Sequence, residues 1–386
     1  MAYLDYNATT PLAPCALAAM LPVLERDYGN PSSIHGFGRR ARAVLDDSRD
    51  TMADILGVRP HEIIFTGGGT ESDNLAILGL ARSLQGRGKH LITAATEHHA
   101  VLHAFEFLAR HEGFALTVLP VQADGMIDPQ RLIDSLQPDT TLVSIMSANN
   151  ETGVLQPIAE LAHICRSKGI DFHSDMVQSF GKQVVKPRDL GVTAFSIASH
   201  KFYGPKGAGI LYLESGQDLQ SLHLGGAHEN QHRPGTEDVA AVAGMVAAAA
   251  WVTEGMEAEQ FRLQLLRERL WDGVEQIFPA AIRNGEPDLT LANTLNVSFP
   301  GADGEMLLIG LDLEGIAVSS GSACMVGSVQ PSHVLIAMGV EPSLAKSTVR
   351  FSLGKPTTRE EIDAAIVGLG RVLDRQFPQL QPQVAA

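Results

Sequence analysis

A lysine is the first residue of this 386-residue chain whose surroundings suggest covalent chemistry. Lys201 lies in SHKFYGPKGAG, where a predicted strand ends and a glycine-rich loop begins. An amine at such a strand end can form a Schiff base with a carbonyl compound if the site lowers its pKa. An ordinary lysine in a surface turn would have the same local sequence, and Lys182 and Lys206 are rival lysines nearby.

A cysteine is the second such residue. Cys324 lies in AVSSGSACMVGSVQPSHVL, among serine, glycine and alanine. This composition predicts a loop that costs little to move, because small side chains make few contacts that must break. Only the thiolate of a cysteine is nucleophilic, so Cys324 would need activation near a reactive group. The other two cysteines, Cys15 and Cys165, are too scattered for a disulfide framework or a CxxC zinc site.

Further polar residues follow predicted strands. Asp175 ends a strand in HSDMVQSFGK, where a carboxylate could pair with a cationic ring nitrogen, and Gln178 could donate to a ring oxygen. His98, in TEHHAV, could stack on a ring or move protons. Asn150 follows the strand TTLVSIMSA. Each has an ordinary alternative, since aspartate and asparagine commonly form loop caps and turns.

Several residues could bind anions. FTGGGTESDN predicts a strand, a glycine-rich turn and the start of a helix. The backbone N–H groups of such a helix start, with the Thr70 hydroxyl, suit a phosphate. An N-capped turn without a ligand has the same pattern. Ser199 and His200, beside the lysine, could also hold a phosphate, and Thr236 lies in a polar loop that could do the same or merely face solvent. Arg350, within STVRFSLG, predicts either a substrate carboxylate or an internal salt bridge.

The elements that must position these residues alternate in type. Short apolar runs separated by helical patterns predict a mainly parallel, doubly wound sheet, with catalytic groups at the strand C-termini. After about residue 255 a long amphipathic helix and further strands predict a smaller α+β unit, whose last helix has a capping box of Thr358 and Glu361. We predict a large domain of residues 15–255 and a small domain of 1–14 and 256–386. The predicted strands of the large domain are 62–68, 90–96, 115–121, 140–148, 171–175, 194–199 and 207–213.

Composition limits the partners and the compartment. Hydrophobic residues make up 45% of the chain and charged residues 19%, which are values of a globular protein. The net charge of −15 makes a nucleic acid an unfavourable partner. The N-terminus has no secretory pattern and no apolar stretch is long enough for a membrane span, so we expect a cytoplasmic enzyme without a membrane partner.

Taken in order, the motifs resemble those of cysteine desulfurases, within the PLP-dependent class V aminotransferase-like family. The short cysteine loop with PSHVL resembles the iron–sulfur and nitrogen-fixation branch. The resemblance runs nearly end to end, through YLDYNATTP, GNPSSIHGFG, TGGGTESDN, TEHHAV, NNETGVLQP, HSDMVQSFGK, SHKFYGPKGAG, RPGTED, SSGSACMVGSVQPSHVL and STVRFSLG.

The resemblance implies an α/β fold of the PLP-dependent transferase fold type I, with a mainly parallel seven-stranded sheet covered by helices on both faces and a smaller α+β domain. It implies that Lys201, Cys324 and His98 are catalytic, and that Asn150 and Arg350 bind the substrate carboxylate. Gly69 stands where an alanine is usual. Contacts to pyridoxal 5′-phosphate (PLP) would come from Gly69, Thr70, His98, Asp175, Gln178, Ser199, His200, Lys201 and, from the other subunit of a homodimer, Thr236.

The implied reaction converts L-cysteine to L-alanine and leaves the sulfur on Cys324 as a persulfide for an acceptor protein, such as an iron–sulfur scaffold or a tRNA-thiolation relay. No resident metal is expected, although Cys324 could ligate a cluster transiently. The alternatives are a PLP aminotransferase or a selenocysteine or cysteine lyase of the same fold, and a non-catalytic sulfur carrier. A nucleotide-binding oxidoreductase ranks last, because the acidic ribose ligand is missing at the proper spacing.

Overall fold

The computed structural model describes residues 1–320 and 331–377. Within these residues, all seven predicted strands of the large unit form one sheet, which confirms the predicted α/β class. The strands of the chain are β1 (Ala2–Tyr3), β2 (Ile63–Thr66), β3 (His90–Ala94), β4 (Ala115–Leu119), β5 (Thr140–Ser144), β6 (Asp171–Asp175), β7 (Ala194–Ala198), β8 (Gly209–Leu213), β9 (Ile282–Arg283), β10 (Thr294–Ser298), β11 (Ile316–Ala317) and β12 (Thr348–Ser352).

The order of the large sheet is β2-β8-β7-β6-β5-β3-β4. Strand β8 is antiparallel to both of its neighbours, and the other pairs of this sheet are parallel. From β3 the chain moves outward to β4 and then returns to β5 on the opposite side of β3. Such a reversal leaves a crevice at the carboxyl ends of parallel strands, where ligands bind in open α/β sheets.

Helices cover both faces of this sheet. Every residue of β5 to β8 is buried, as expected for strands that are covered on both sides. On β5, Val143 packs into one hydrophobic cluster and Leu142 into another, so alternate residues face opposite helical layers. The helices are α1 (Pro14–Glu25), α2 (Gly36–Leu56), α3 (Gly69–Leu84), α4 (His99–His111), α5 (Pro129–Ser135), α6 (Ile158–Ser167), α7 (Pro187–Leu190), α8 (Val239–Thr253), α9 (Met256–Ile277), α10 (Gly304–Leu313), α11 (His333–Ala337), α12 (Pro342–Lys346) and α13 (Arg359–Gln376).

A second, antiparallel sheet has the order β12-β10-β9 and packs with α9, α10 and α13 around its own hydrophobic cluster. Ala2 and Leu4 of the N-terminal arm belong to this cluster, and β1 pairs with β11. The capping box of Thr358 and Glu361 at the start of α13 is confirmed. The residue boundaries of two domains stay a prediction.

The segment IAVSSGS (316–322) has the composition of a strand, and its residues 321 and 322 lie outside the described ranges. Over the described part, pairing of β11 ends at Ala317, and an isolated bridge then joins Ser319 to Arg350. Within the described ranges no single helix is long and apolar enough to cross a membrane, and only α8 and α9 together, bent by 74°, have the length and composition.

Candidate cofactor and substrate site

A cavity of about 420 Å³ lies at the carboxyl ends of the strands of the large sheet. The loops after β2, β3, β5, β6 and β7 all contribute to it, together with the N-terminal arm and β12. It brings together nine of the residues predicted from the sequence, namely Gly69, Thr70, His98, Asn150, Asp175, Gln178, His200, Lys201 and Arg350.

Lys201 ends a short 3-10 turn that follows β7, and its side chain reaches the N-terminal arm. The Nζ atom donates to the backbone oxygens of Asn7 and Ala8, at 2.8 and 2.9 Å. The arm therefore holds the amine inside the cavity. Sequence reasoning missed Asn7 and Ala8 as site residues, because they act mainly through backbone oxygens; the only signal was that YLDYNATTP belonged to the resemblance.

Asp175 is the last residue of β6 and is 5% exposed. Its Oδ1 accepts the backbone N–H of Val177 at 2.9 Å. Burial raises the pKa of this carboxyl to about 6, against the opposing effects of that N–H and of the Lys201 charge. A buried carboxylate with a raised pKa gains stability from a cationic partner, so Asp175 suits the protonated ring nitrogen of PLP.

Gln178 is buried three residues beyond Asp175, in the turn that follows β6, and lines the same cavity. Its Nε2 donates to the backbone oxygen of Asn7 at 2.9 Å, and its Oε1 accepts from Lys182 at 2.7 Å. The amide is therefore held at both ends.

His98 caps the N-terminus of α4, and its Nδ1 accepts the backbone N–H of Ala100 at 3.1 Å. Because Nδ1 is an acceptor, the proton of the neutral ring is on Nε2. Burial, with a smaller effect of the Lys201 charge, lowers the pKa of His98 to about 4. The ring is therefore neutral at physiological pH.

The glycine-rich turn suits a bulky anion. Gly68 has a φ of 146°, a conformation that favours glycine, and the 16-residue helix α3 begins at Gly69. A Cβ on Gly69 would lie 2.7 Å from Cγ2 of Val177, so the turn approaches the floor of the cavity closely. His200 lines the same cavity and bonds to the Thr9 hydroxyl at 3.1 Å, and burial lowers the pKa of its ring to about 4.

Two predicted contacts do not line the cavity. Ser199 is fully buried, its Oγ has no hydrogen-bond partner, and the hydroxyl occupies the place where a side chain on Gly204 would lie. Thr236 is exposed in the loop before α8. Cys324 lies outside the described residues.

Arg350, in the middle of β12, is 2% exposed and lines the cavity. Its Nη2 pairs with Oδ1 of Asp5 at 2.7 Å, and its Nη1 donates to the backbone oxygen of Asn150 at 2.8 Å. The Nε atom is buried without a hydrogen-bond partner. The internal salt bridge is therefore present, and the guanidinium keeps N–H groups for a carboxylate in the cavity.

The described residues on either side of segment 321–330 are anchored at the edge of this cavity. Ser319 and Arg350 exchange backbone hydrogen bonds of 3.3 and 2.6 Å. On the other side, Ser332 donates to Glu151 at 2.5 Å, and His333 Nε2 bonds to the backbone oxygen of Glu97 at 3.0 Å. Both anchors thus adjoin residues of the site.

The other two cysteines are elsewhere. Cys165 is buried in the core, which raises the pKa of its thiol to about 12, and Cys15 is half-buried against α8. Over residues 1–320 and 331–377, no group of three or more His, Cys, Asp and Glu side chains could hold a metal ion.

Comparison with known proteins gives consistent matches over almost the whole chain. The family model "Aminotransferase class-V" matches residues 2–365. A "Cysteine desulfurase IscS" from Dictyoglomus turgidum is 46% identical over 373 residues, which cover 97% of this chain and 94% of that protein. Another of the same name, from Anaeromyxobacter dehalogenans, is 44% identical over 98% of this chain and 94% of that protein. A solved "NIFS-LIKE PROTEIN" superposes with a TM-score of 0.92 at 35% identity, covering 97% of this chain and 100% of the solved one.

Proposed function

We propose that the chain, which belongs to the aminotransferase class-V family, is a cysteine desulfurase that forms L-alanine from L-cysteine and transfers the sulfur to Cys324. Enzymes of this family depend on PLP, and the cavity fits that cofactor. The observation that carries the proposal is the meeting of the Lys201 amine, the Asp175 carboxyl and the Arg350 guanidinium in one cavity beside the anchors of segment 321–330.

Four residues would hold and tune the cofactor. Lys201 would attach it through Nζ, Asp175 would keep its ring nitrogen protonated, and Gln178 would donate to its ring oxygen. The neutral ring of His98 would stack on it. When bound, PLP supplies an electron sink for charge that develops on the substrate Cα.

Substrate binding is a task for Arg350 and Asn150. Arg350 would bind the L-cysteine carboxylate with N–H groups that Asp5 and Asn150 leave available. The Lys201 amine, held by the arm, would take the proton from the substrate Cα, and neutral His98 holds a proton at Nε2 as the second group near the reaction.

Sulfur transfer would be the task of Cys324. Its thiolate would attack the substrate sulfur, so that an S–S bond forms, the Cβ–S bond breaks, and the carbon takes up a proton to give alanine. Ser319, five residues before Cys324 in the sequence, is anchored by backbone hydrogen bonds to Arg350 of the cavity, which supports access of this cysteine to the site.

The test is to incubate the purified protein with L-cysteine and to measure alanine together with the mass of the Cys324 peptide. A desulfurase gives alanine and a peptide heavier by one sulfur atom. The Cys324→Ala variant should lose both products and keep the visible absorbance of bound PLP, whereas Cys15→Ala, the matched control outside the cavity, should behave as the wild type.

The same variants separate the alternatives. An aminotransferase would keep its turnover with a keto-acid acceptor after Cys324→Ala. A sulfur carrier would bind no PLP, and borohydride would trap no adduct on Lys201. Either result would contradict the proposed activity.

The assembly that we propose is a homodimer in the cytoplasm. Leu17, Leu21 and Leu24 are exposed on one face of α1, which supports burial against a second copy. Thr236 is exposed and does not line the cavity of its own subunit, which agrees with a contact to the cavity of the other subunit. Light scattering of wild type and of a Leu17→Glu/Leu21→Glu variant tests this: the wild type should have the mass of a dimer and the variant that of a monomer.

The sulfur acceptor that we propose is an iron–sulfur scaffold protein. The supporting observation is the similarity to relatives named IscS, together with the short cysteine segment. Transfer of labelled sulfur from the Cys324 persulfide to a purified scaffold protein, compared with transfer to a tRNA-thiolation protein, tests this choice; preferential labelling of the thiolation protein would contradict it.

A further inference from the structure

Lys182 is a buried amine that the proposed reaction leaves without a role. It follows Gln178 by four residues, and its Nζ donates to Gln178 Oε1 at 2.7 Å and to Asn7 Oδ1 at 2.9 Å. The backbone oxygen of the same Asn7 accepts from Lys201 at 2.8 Å. One residue of the N-terminal arm thus links both amines.

The first consequence concerns the direction of the Gln178 amide. The Nε2 end of Gln178 is bound to the backbone oxygen of Asn7, so the amide presents its oxygen to the Lys182 amine, which has hydrogens to donate in either protonation state. The Nε2 end then faces the arm and the cavity. One of its two hydrogens is used by Asn7, at 2.9 Å, and the second is available to a ligand in the cavity.

The second consequence is electrostatic. A small cavity of about 40 Å³ is lined by Lys182 and Lys201, and its other titratable neighbours are Tyr6, Tyr203, Glu259 and Lys355. Glu259 is bound to Arg262, at 2.8 Å, and Lys355 donates to a backbone oxygen of Trp251. Burial lowers the pKa of Lys182 well below its ordinary value, and the charges of Lys201 and Arg350 lower it further.

We propose that Lys182 is a positioning residue, which turns the donor end of the Gln178 amide toward the cofactor and, through Asn7, holds the arm against Lys201. The inference rests on the proposed function, because the acceptor that Gln178 would meet is the ring oxygen of PLP. An N–H donated to that oxygen stabilises its anionic form, so the link between Lys201 and the cofactor loses its proton at a lower pH. A second amine close to Lys201 acts in the same direction while it carries a proton.

The experiment is a pH titration of the visible absorbance of the holoprotein, without substrate. Lys182→Met removes the amine, and the midpoint should rise by about one pH unit, as expected when the donor that orients the Gln178 amide is lost. Lys182→Arg keeps a charged donor and should titrate close to the wild type. Lys186→Met is the matched control, because this lysine lies on the same segment and donates to the backbone oxygen of Ile55 at 2.6 Å, off the cavity.

A second pair of variants tests the route through Gln178. In a Gln178→Ala background, Lys182→Met should shift the midpoint by less than half of its effect in the wild type, because the amide that it orients is gone. An equal shift in both backgrounds would overturn the positioning role. If Lys182→Met does not fold, Lys182→Gln takes its place, and a midpoint that stays at the wild-type value overturns the inference.

The failures of the two proposals are distinguishable. A wild-type protein that binds no PLP contradicts the proposed function itself. A wild type that binds and titrates normally, beside a Lys182→Met variant with the same midpoint, contradicts only the role of Lys182.

Discussion

Replacement of Asp175 by asparagine should stabilise the cofactor-free protein while it removes activity. The buried carboxyl has a pKa of about 6 instead of 3.8, because burial outweighs the N–H of Val177 and the charge of Lys201. At about 1.36 kcal/mol for each pKa unit, its ionisation in the folded state costs about 3 kcal/mol. Asparagine has nearly the same shape, keeps an oxygen for the Val177 N–H, and carries no charge.

The pH dependence of the free energy of unfolding identifies the buried Asp175 charge as the cause of this stabilisation. Between pH 3.8 and about 6 the folded protein binds more protons at Asp175 than the unfolded chain, so the stability of the wild type falls as the pH rises through this window. The advantage of Asp175→Asn should therefore be about 3 kcal/mol at pH 8 and about half of that at pH 5. Bound PLP should reverse the order, since its protonated nitrogen stabilises the carboxylate.

The assay is urea unfolding of the cofactor-free protein at one fixed protein concentration, at pH 5 and pH 8, with alanine production as the second measurement. Production should fall about 10²–10³-fold. Asp128→Asn is the matched control, because Asp128 caps α5 by accepting the N–H of Gln130 and asparagine caps equally well. No gain at pH 8, or the same gain at both pH values, would refute the role of the buried charge.

Three further predictions concern the same cavity. Lys201→Ala should leave no adduct for borohydride to trap and should abolish alanine production; a remaining adduct would place the attachment on another lysine. Arg350→Lys should raise the KM for L-cysteine about 10–100-fold, because the bidentate contact with the carboxylate is lost. The KM for cysteinamide, which lacks the carboxylate, should not change. Equal effects on both substrates would contradict carboxylate binding. Gly69→Ala should weaken PLP binding by about 1–3 kcal/mol, because the new Cβ would lie 2.7 Å from Val177. Adding Val177→Ala should restore most of the lost affinity. Titration with PLP measures the affinity of both variants.

The strands of the large sheet could be predicted because their apolar runs are bounded by glycine and polar residues. Their order in space could not, since the return of β5 beside β3 leaves no mark in the sequence. The two-residue strands β1 and β9 were missed because two residues are too few to show a period of two. Several observed strands are also a few residues shorter than the predicted ones, because an apolar run does not show at which residue the pairing ends.

The side chains at strand ends were predictable because the carboxyl ends of parallel strands meet at one edge of an open α/β sheet, so polar residues that follow several strands come together there. Asn7 was not, because its backbone oxygen makes the contact with Lys201, and backbone groups carry no residue-specific signal. Asp5 was missed as the partner of Arg350, since 345 residues separate them. Ser199 was predicted from its position beside Lys201, but the turn buries its hydroxyl against Gly204.

The N-terminal arm has a consequence for biosynthesis. Asp5 and Tyr6 bond to Arg350 and Ser352, and Arg350 is translated 345 residues after Asp5. At roughly 10 residues per second the arm waits about half a minute for these contacts. A nascent chain therefore has no complete pocket for PLP until Arg350 has been translated. A translation product that stalls before this residue remains without the pocket.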